Sequence, residues 1–205
     1  MLSDQQIRTI HSTSLDILSR TGIVMKNESG RRLLLDAGAW ESEGRLKIPE
    51  HLVMDAIDLA PSRIPMHNRL GELTMPLEEG RVFFGPGSDC PFTIDVESGE
   101  RRSPTLNDVQ RIAHLCDGLN QIDFVMSMGI PSDLETANAY RHQFALMLTH
   151  TTKPIVFVCD DRADCEAISA MAAAAAGGME PLRLNPTLLL YSEPSTPLKH
   201  SETAT

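Results

Sequence analysis

The sequence is short of aromatic residues, of basic charge and of patterned cysteine, and it contains no long apolar run. Only 4% of its 205 residues are aromatic, one tryptophan, two tyrosines and six phenylalanines, so a pocket walled entirely by rings is hard to build from this chain. Lysine and arginine number 18 against 28 aspartates and glutamates, a formal charge of −10. That balance argues against nucleic acid and anionic membrane as partners and favours a cationic or neutral ligand. The four cysteines, Cys90, Cys116, Cys159 and Cys165, show no C-x-x-C spacing, so they read as free thiols of a cytoplasmic protein rather than a zinc ribbon or redox pair. No segment approaches the roughly 20 apolar residues of a membrane span, and the first ten residues lack the apolar core of a signal peptide. The seven histidines have neither H-x-x-x-H nor H-x-x-E-H spacing, so no metal site is expected. What remains is an ordinary globular composition, 41% hydrophobic and 22% charged, long enough to bury a sizeable core.

Residues 1–80 read as a small helical cap with short strands. Ser3 and Gln6 form a capping-box pattern, after which Ile7, Ile10, Leu15 and Leu18 recur at helical spacing until Gly22. A second helix is expected over Glu28–Ala37. A third starts with Pro49 in its first turn and stops at Pro61. Between Arg63 and Leu77, apolar runs broken by Pro65, Gly71 and Pro76 suggest irregular strands or a hairpin.

From residue 81 to 205 the rhythm changes to alternating strands and helices. A strand over Val82–Phe84 leads into Gly85-Pro86-Gly87, and a hairpin follows from Phe92 to Val96 with its turn at Ser98-Gly99. Thr105 and Asp108 cap a helix, Asp123–Met128 is a strand, and Asp133 opens a long helix to His150. Pro154–Cys159 is a strand, Asp161–Gly177 an alanine-rich helix and Thr187–Tyr191 a fourth strand. Strand starts 32 to 41 residues apart are the spacing of β/α units with parallel neighbouring strands. A doubly wound sheet would place a phosphate-binding glycine loop before a helix, whereas Gly85-Pro86-Gly87 runs into a β-like segment. The expected fold class is therefore α/β, an incomplete TIM-type (β/α) barrel of about four β/α units. After the fourth strand comes a loop, and eight strands would be needed for closure. The reading is a truncated barrel whose outer strand edges require a missing half or another copy of the chain, a homo-oligomer, to cover them.

The ordered set His11-Ser12-Thr13-Ser14-Leu15-Asp16-Ile17-Leu18, Gly22-Ile23, Asp36-Ala37-Gly38-Ala39, Ile48-Pro49, Ala60-Pro61, Phe84-Gly85, Asp95, Ser98-Gly99-Glu100-Arg101-Arg102, Thr105-Leu106-Asn107-Asp108, Asp123, Asp133 and Lys153-Pro154 resembles the N-terminal half of the trimethylamine methyltransferase family. The resemblance covers essentially the whole chain. It implies a barrel of about twice this length and a corrinoid-dependent methyltransferase of one-carbon metabolism, including methanogenesis. Such enzymes move a methyl group from trimethylamine, or from a quaternary amine such as glycine betaine, to the Co(I) corrinoid (a cobalamin) of a separate small protein. The implied partners are that corrinoid protein and a small methylated amine, with no cofactor bound directly. The best-known members carry pyrrolysine, at a position in the C-terminal half.

Active sites of β/α barrels gather at the C-terminal ends of the strands. The candidate substrate-binding residues are accordingly Phe84, Gly85, Gly87, Asp89, Ser127, Asp160 and Glu193, with Ser88, Met128, Cys159 and Ser192 beside them and Phe92 as a second ring. Asp89, Asp160 and Glu193 could each bind a methylated cation. Asp89 and Asp160 fit equally as turn or helix caps, and the glycines as backbone relief. Cys159 reads as a small buried hydrophobe, while Glu193 is either a buried carboxylate, which would need a partner, cation or metal, or equally a solvated loop carboxylate. With the corrinoid as nucleophile no protein base is required, and no catalytic residue is assigned. A non-catalytic half-barrel or assembly subunit is the alternative. A lyase or aldolase half is weaker still, because Lys153 precedes its strand and no strand-end lysine is present.

Overall fold

A computed structural model describes residues 2–135, 138–159 and 161–202. The chain divides into two compact units, Met1–Pro61 with Ser192–Thr205, and Ser62–Tyr191.

In the first unit, α1 (Asp4–Asp16) begins at the expected capping box: Ser3 Oγ accepts from Gln6 N, and Gln6 Oε1 from Ser3 N. It runs on through a π turn, Ile17–Thr21, and stops at Gly22. Glycine is required there, because φ is 71° and a Cβ would strike the Leu46 carbonyl. β1 (Val24–Met25) and α2 (Glu28–Asp36) follow, the helix capped by Asn27 Oδ1 accepting from Gly30 N at 2.9 Å. β2 (Trp40–Ser42) and β3 (Arg45–Lys47) form an antiparallel hairpin whose turn, Glu43-Gly44, has positive φ at both residues. Lys47 is buried, and its Nζ donates to the carbonyls of Arg20 and Thr21 at the end of the π turn, which offsets the desolvation of its charge. α3 (Glu50–Leu59) has Pro49 as its N-cap, one position earlier than its sequence suggests.

The second unit opens with β4 (Ile64–His67) and β5 (Leu73–Leu77), an antiparallel hairpin that buries Met66 against Met75. β6 (Thr93–Ile94) and β7 (Arg101–Arg102) form the expected second hairpin. Arg102 then bridges Asp95 at 3.0 Å and Asp108 at 2.7 Å. Asp108 completes the capping box of α4 (Leu106–Gly118) with Thr105. The next helix, α5 (Ala139–His150), begins six residues later than expected. Asp133 does not start it: its carboxylate accepts from Leu106 N at 3.0 Å and so serves the first turn of α4 instead. β8 (Ile155–Val158) leads into α6 (Arg162–Ala176), capped by Asp161 and ended by left-handed Gly177. A short helix not foreseen from the sequence, α7 (Met179–Leu184), precedes β9 (Leu188–Tyr191). The tail was expected to be a plain loop, but β10 (Lys199–His200) pairs in parallel with β1 of the first unit.

The parallel segments of the second unit lie side by side in sequence order, as expected of consecutive β/α units. β8 and β9 pair in parallel over four residues. Val125 bridges to Ile155 in parallel, with Val125 N donating to Pro154 O and Val156 N to Val125 O. Asp123 N donates to Phe84 O, and Cys90 bridges in parallel to Gly129. Two strand expectations need correction. Residues 81–89 form no strand, because the Asp123 carboxylate takes the Phe84 N–H that a ladder would use and Pro86 has no N–H to give. Asp123–Met128 forms no ladder among the described residues: it pairs through the single bridge at Val125, and its last residue, Met128, turns to φ 56°. No closed barrel exists among the described residues, where each sheet has two strands, and helices pack on one face of the parallel segments. On that face Val125, Ile155 and Phe157 pack with Val109, Ala113, Phe144, Met147 and Ile168 of α4, α5 and α6. Alternation leaves Met126, Val156, Val158 and Leu189 half-buried on the other face.

Candidate functional site

The site is built where the parallel segments end. Gly87 O accepts from Met128 N at 3.2 Å, and Cys90 N donates to Met128 O at 3.1 Å, so the loop after the first segment is laid along the end of the second. Asp89 and Met128 face this junction with φ of 53° and 56°, two of four non-glycine residues with positive φ among the described residues. Such backbone costs about 1–3 kcal/mol per residue and is held only where its surroundings over-determine it. Asp89 is half-buried, and Ser127 Oγ, on a residue 2% exposed, donates to its Oδ1 at 3.1 Å. Next to it, the Ser88 hydroxyl meets the Tyr191 hydroxyl at 2.9 Å. In a flat sheet the first and fourth segments would stand about 14 Å apart, farther than those two side chains can bridge. The mouth is therefore drawn in, with the loop after the first segment and the end of β9 meeting.

Gly87, Ser88, Asp89, Ser127 and Met128 are thus brought together as the sequence suggested. Tyr191 is a member that sequence reasoning missed, although it is the last residue of a strand already recognised and carries a hydroxyl. Gly85 is a packing residue: a Cβ there would run into the Phe124 ring. Phe84 is exposed, and Phe92 is covered by the Arg101 guanidinium at 3.7 Å from its ring centre, so neither ring waits as an open wall of an aromatic cage. Asp160 lies outside the described residues. Of the two readings of Glu193 the solvated loop carboxylate is the one found, exposed on an irregular segment of the first unit. Burial, with Cys165 next in effect, pushes the Cys159 thiol up to about 11, so it is protonated at neutral pH and unsuited to nucleophilic attack. Lys153 Nζ donates to the carbonyls of Cys116 and Leu119 at 2.6 Å, capping α4 at the opposite end of the segments. Among the described residues no group of three histidine, cysteine or acidic side chains is placed to hold a metal ion, and no helix is long and apolar enough to cross a membrane.

Parallel β/α units with a hydroxyl-held carboxylate at their C-terminal ends define an α/β protein. The particular family is fixed by comparison. The trimethylamine methyltransferase (MTTB) family model matches residues 1–205, and the chain belongs to that family. The chain is similar to trimethylamine methyltransferase MttB of Desulfitobacterium hafniense (strain DSM 10664 / DCB-2), 29% identical over 199 residues, which are 96% of this chain and 40% of that protein. It is 23% identical over 203 residues to glycine betaine methyltransferase of Desulfitobacterium hafniense (strain Y51), 98% of this chain and 42% of that protein. With trimethylamine methyltransferase MttB1 of Methanosarcina mazei it shares 27% identity over 165 residues, 75% of this chain and 32% of that protein. The chain therefore spans about two-fifths of the length of the first two of these curated relatives.

Proposed function

We propose that this chain is part of a cytoplasmic methyltransferase that takes a methyl group from trimethylamine or a quaternary amine such as glycine betaine and delivers it to the corrinoid of a separate protein. Family membership supports the reaction class. The lengths of the relatives support a complete β/α barrel in which residues 82–191 are the first half. The observation that carries the reading is Asp89, a carboxylate held by buried Ser127 at the mouth of the parallel segments. A methylated nitrogen leaves with its C–N bonding pair readily only when it already bears positive charge, and a fixed carboxylate favours that charged form. The reduced corrinoid supplies the electron pair that accepts the methyl group. Asp89 binds and orients the cation, and Ser127 sets the carboxylate.

The test is a proton-NMR titration of the 205-residue chain with trimethylammonium and glycine betaine, followed by mixing with the corrinoid protein and recording its visible spectrum. Saturable binding that falls about tenfold in Asp89→Asn, together with a substrate-dependent spectral change for the complete barrel, is the expected result. Binding indifferent to Asp89→Asn would remove Asp89 from the site. A complete, folded barrel that leaves the spectrum unchanged with both amines would defeat the reaction proposed.

A further inference from the structure

We propose that Tyr191 and Ser88 are positioning residues, whose hydrogen bond ties the loop after the first parallel segment to the end of β9 and thereby fixes Asp89 for cation binding. The inference rests on the reading of Asp89 given above. Consecutive loop residues are each secured by a different group. Gly87 O is held by Met128 N, the Asp89 carboxylate by Ser127 Oγ, and Cys90 N by Met128 O, at 3.1 to 3.2 Å. Those ties all run to the neighbouring segment. Ser88 reaches instead to β9, where its hydroxyl lies 2.9 Å from that of Tyr191.

The tie matters because the residue after Ser88 has its φ at 53°, a backbone that relaxes to negative φ unless both flanks are held. Relaxation would swing the Asp89 carboxylate away from Ser127. Tyr191 is suited to prevent it, since its backbone is locked in register opposite Val158 in the β8–β9 pair, and rigid elements position a site more accurately than loops do. Leu188 and Leu190 of β9 pack on the helix-covered core, and alternation places Tyr191 on the other face. Its phenolic oxygen adds nothing to apolar packing that a phenylalanine would lack. The hydroxyl is therefore accounted for by the bond to Ser88.

The experiment uses the 205-residue chain as wild type, Tyr191→Phe, Ser88→Ala and the double variant. Amide hydrogen exchange at Cys90 and Met128 is measured by NMR, alongside binding of trimethylammonium and tetramethylammonium chloride and Tm. Each single variant is expected to speed exchange at Cys90, weaken cation binding about tenfold and leave Tm nearly unchanged. The double variant should be no worse than either single one, because each already breaks the same bond. Losses that add in the double variant, or unaltered exchange at Cys90 in Tyr191→Phe, overturn the tie. Wild-type protein that binds neither cation removes the reading of Asp89 and with it the purpose assigned to the tie. That failure appears in the titration, whereas failure of the tie itself appears in the exchange rates.

Discussion

At the N-terminal ends of the parallel segments, Asp117 collects three donors on one oxygen, Thr151 Oγ at 2.9 Å, Thr152 N at 2.6 Å and Thr152 Oγ at 3.0 Å. Around it Lys153 caps α4, Arg69 Nε donates to Thr151 O, and Arg69 N to Thr152 O. None of these residues has positive φ. At the C-terminal ends, Asp89 and Met128 are both held in left-handed backbone, tied by backbone bonds of Met128 and by the hydroxyls of Ser127, Ser88 and Tyr191. The same residue type, aspartate beside serine or threonine, thus serves relaxed geometry at one end and strained geometry at the other. With Asp89 as the cation ligand proposed above, the difference would separate stability from recognition along one set of segments, the division that β/α architectures make between their two faces.

One chemical change made at both ends puts that division at risk. Asp117→Asn keeps the shape but removes the charge that strengthens three hydrogen bonds, and is expected to cost about 2 kcal/mol in urea unfolding while leaving cation binding by the folded protein intact. Asp89→Asn keeps an oxygen for Ser127, and asparagine tolerates left-handed backbone well. Its stability should stay within about 1 kcal/mol of wild type even as trimethylammonium binding falls tenfold. If both variants lose stability alike, or if Asp117→Asn weakens binding in the folded protein, the two ends are not divided in this way.

Much of this layout was legible in the sequence because local signals and tertiary demands agree in the helices. The pairs Ser3 with Gln6 and Thr105 with Asp108, and Gly177 after the alanine run, mark helix ends that the structure keeps. The cysteines, found free among the described residues, and the sequential parallel order were readable too. What escaped depends on partners distant in sequence. Asp133 looked like the start of α5 but serves α4, 27 residues earlier. Phe84 looked like a strand residue, yet the Asp123 side chain occupies its N–H. Lys199 and His200 form their parallel pairing with Val24 and Met25, at the other end of the sequence. The sequence named both Asp89 and Ser127 as candidates, and the structure joins them by a hydrogen bond, although residues 81–89 form no strand. Aspartate tolerates positive φ better than most residues, but most aspartates do not adopt it, so the φ of Asp89 could not be read from its type, and the link between Ser88 and Tyr191 spans 103 residues.

Acid sharpens the comparison further, because three carboxylates that serve structure, Asp95, Asp108 and Asp117, have lowered affinities for protons. Hydrogen bonds from Ser98 N and then from Arg102 bring Asp95 down to about 2. Arg102, assisted by Thr105, holds Asp108 well below the usual carboxylate range. Burial alone would raise Asp117, but the Thr151 and Thr152 donors and the Lys153 charge bring it net below its ordinary value. A carboxyl that binds protons less readily when folded stabilises the fold above its unfolded pKa of about 3.9 and loses that contribution as pH falls toward its folded value. Urea midpoints should hold from pH 7 to about 4 and then decline toward pH 2. Arg102→Gln should flatten the decline, since Asp95 and Asp108 then titrate nearer their unfolded values, and a slope that Arg102→Gln leaves unchanged would mean other carboxyls control it.

The smallest effect belongs to Glu193, and its smallness is the point. The residue is exposed on an irregular segment, where a change that removes only charge lies within about 0.5 kcal/mol. Glu193→Gln should therefore leave the urea midpoint and trimethylammonium binding at wild-type values, in contrast to Asp89→Asn, which loses binding through the same loss of one negative charge. A tenfold drop in affinity would show that position along the sequence, just past a parallel strand, identifies cation ligands better than burial and hydrogen bonding do. Equal binding in Glu193→Gln and wild type instead ties recognition to the carboxylate that the fold holds in place.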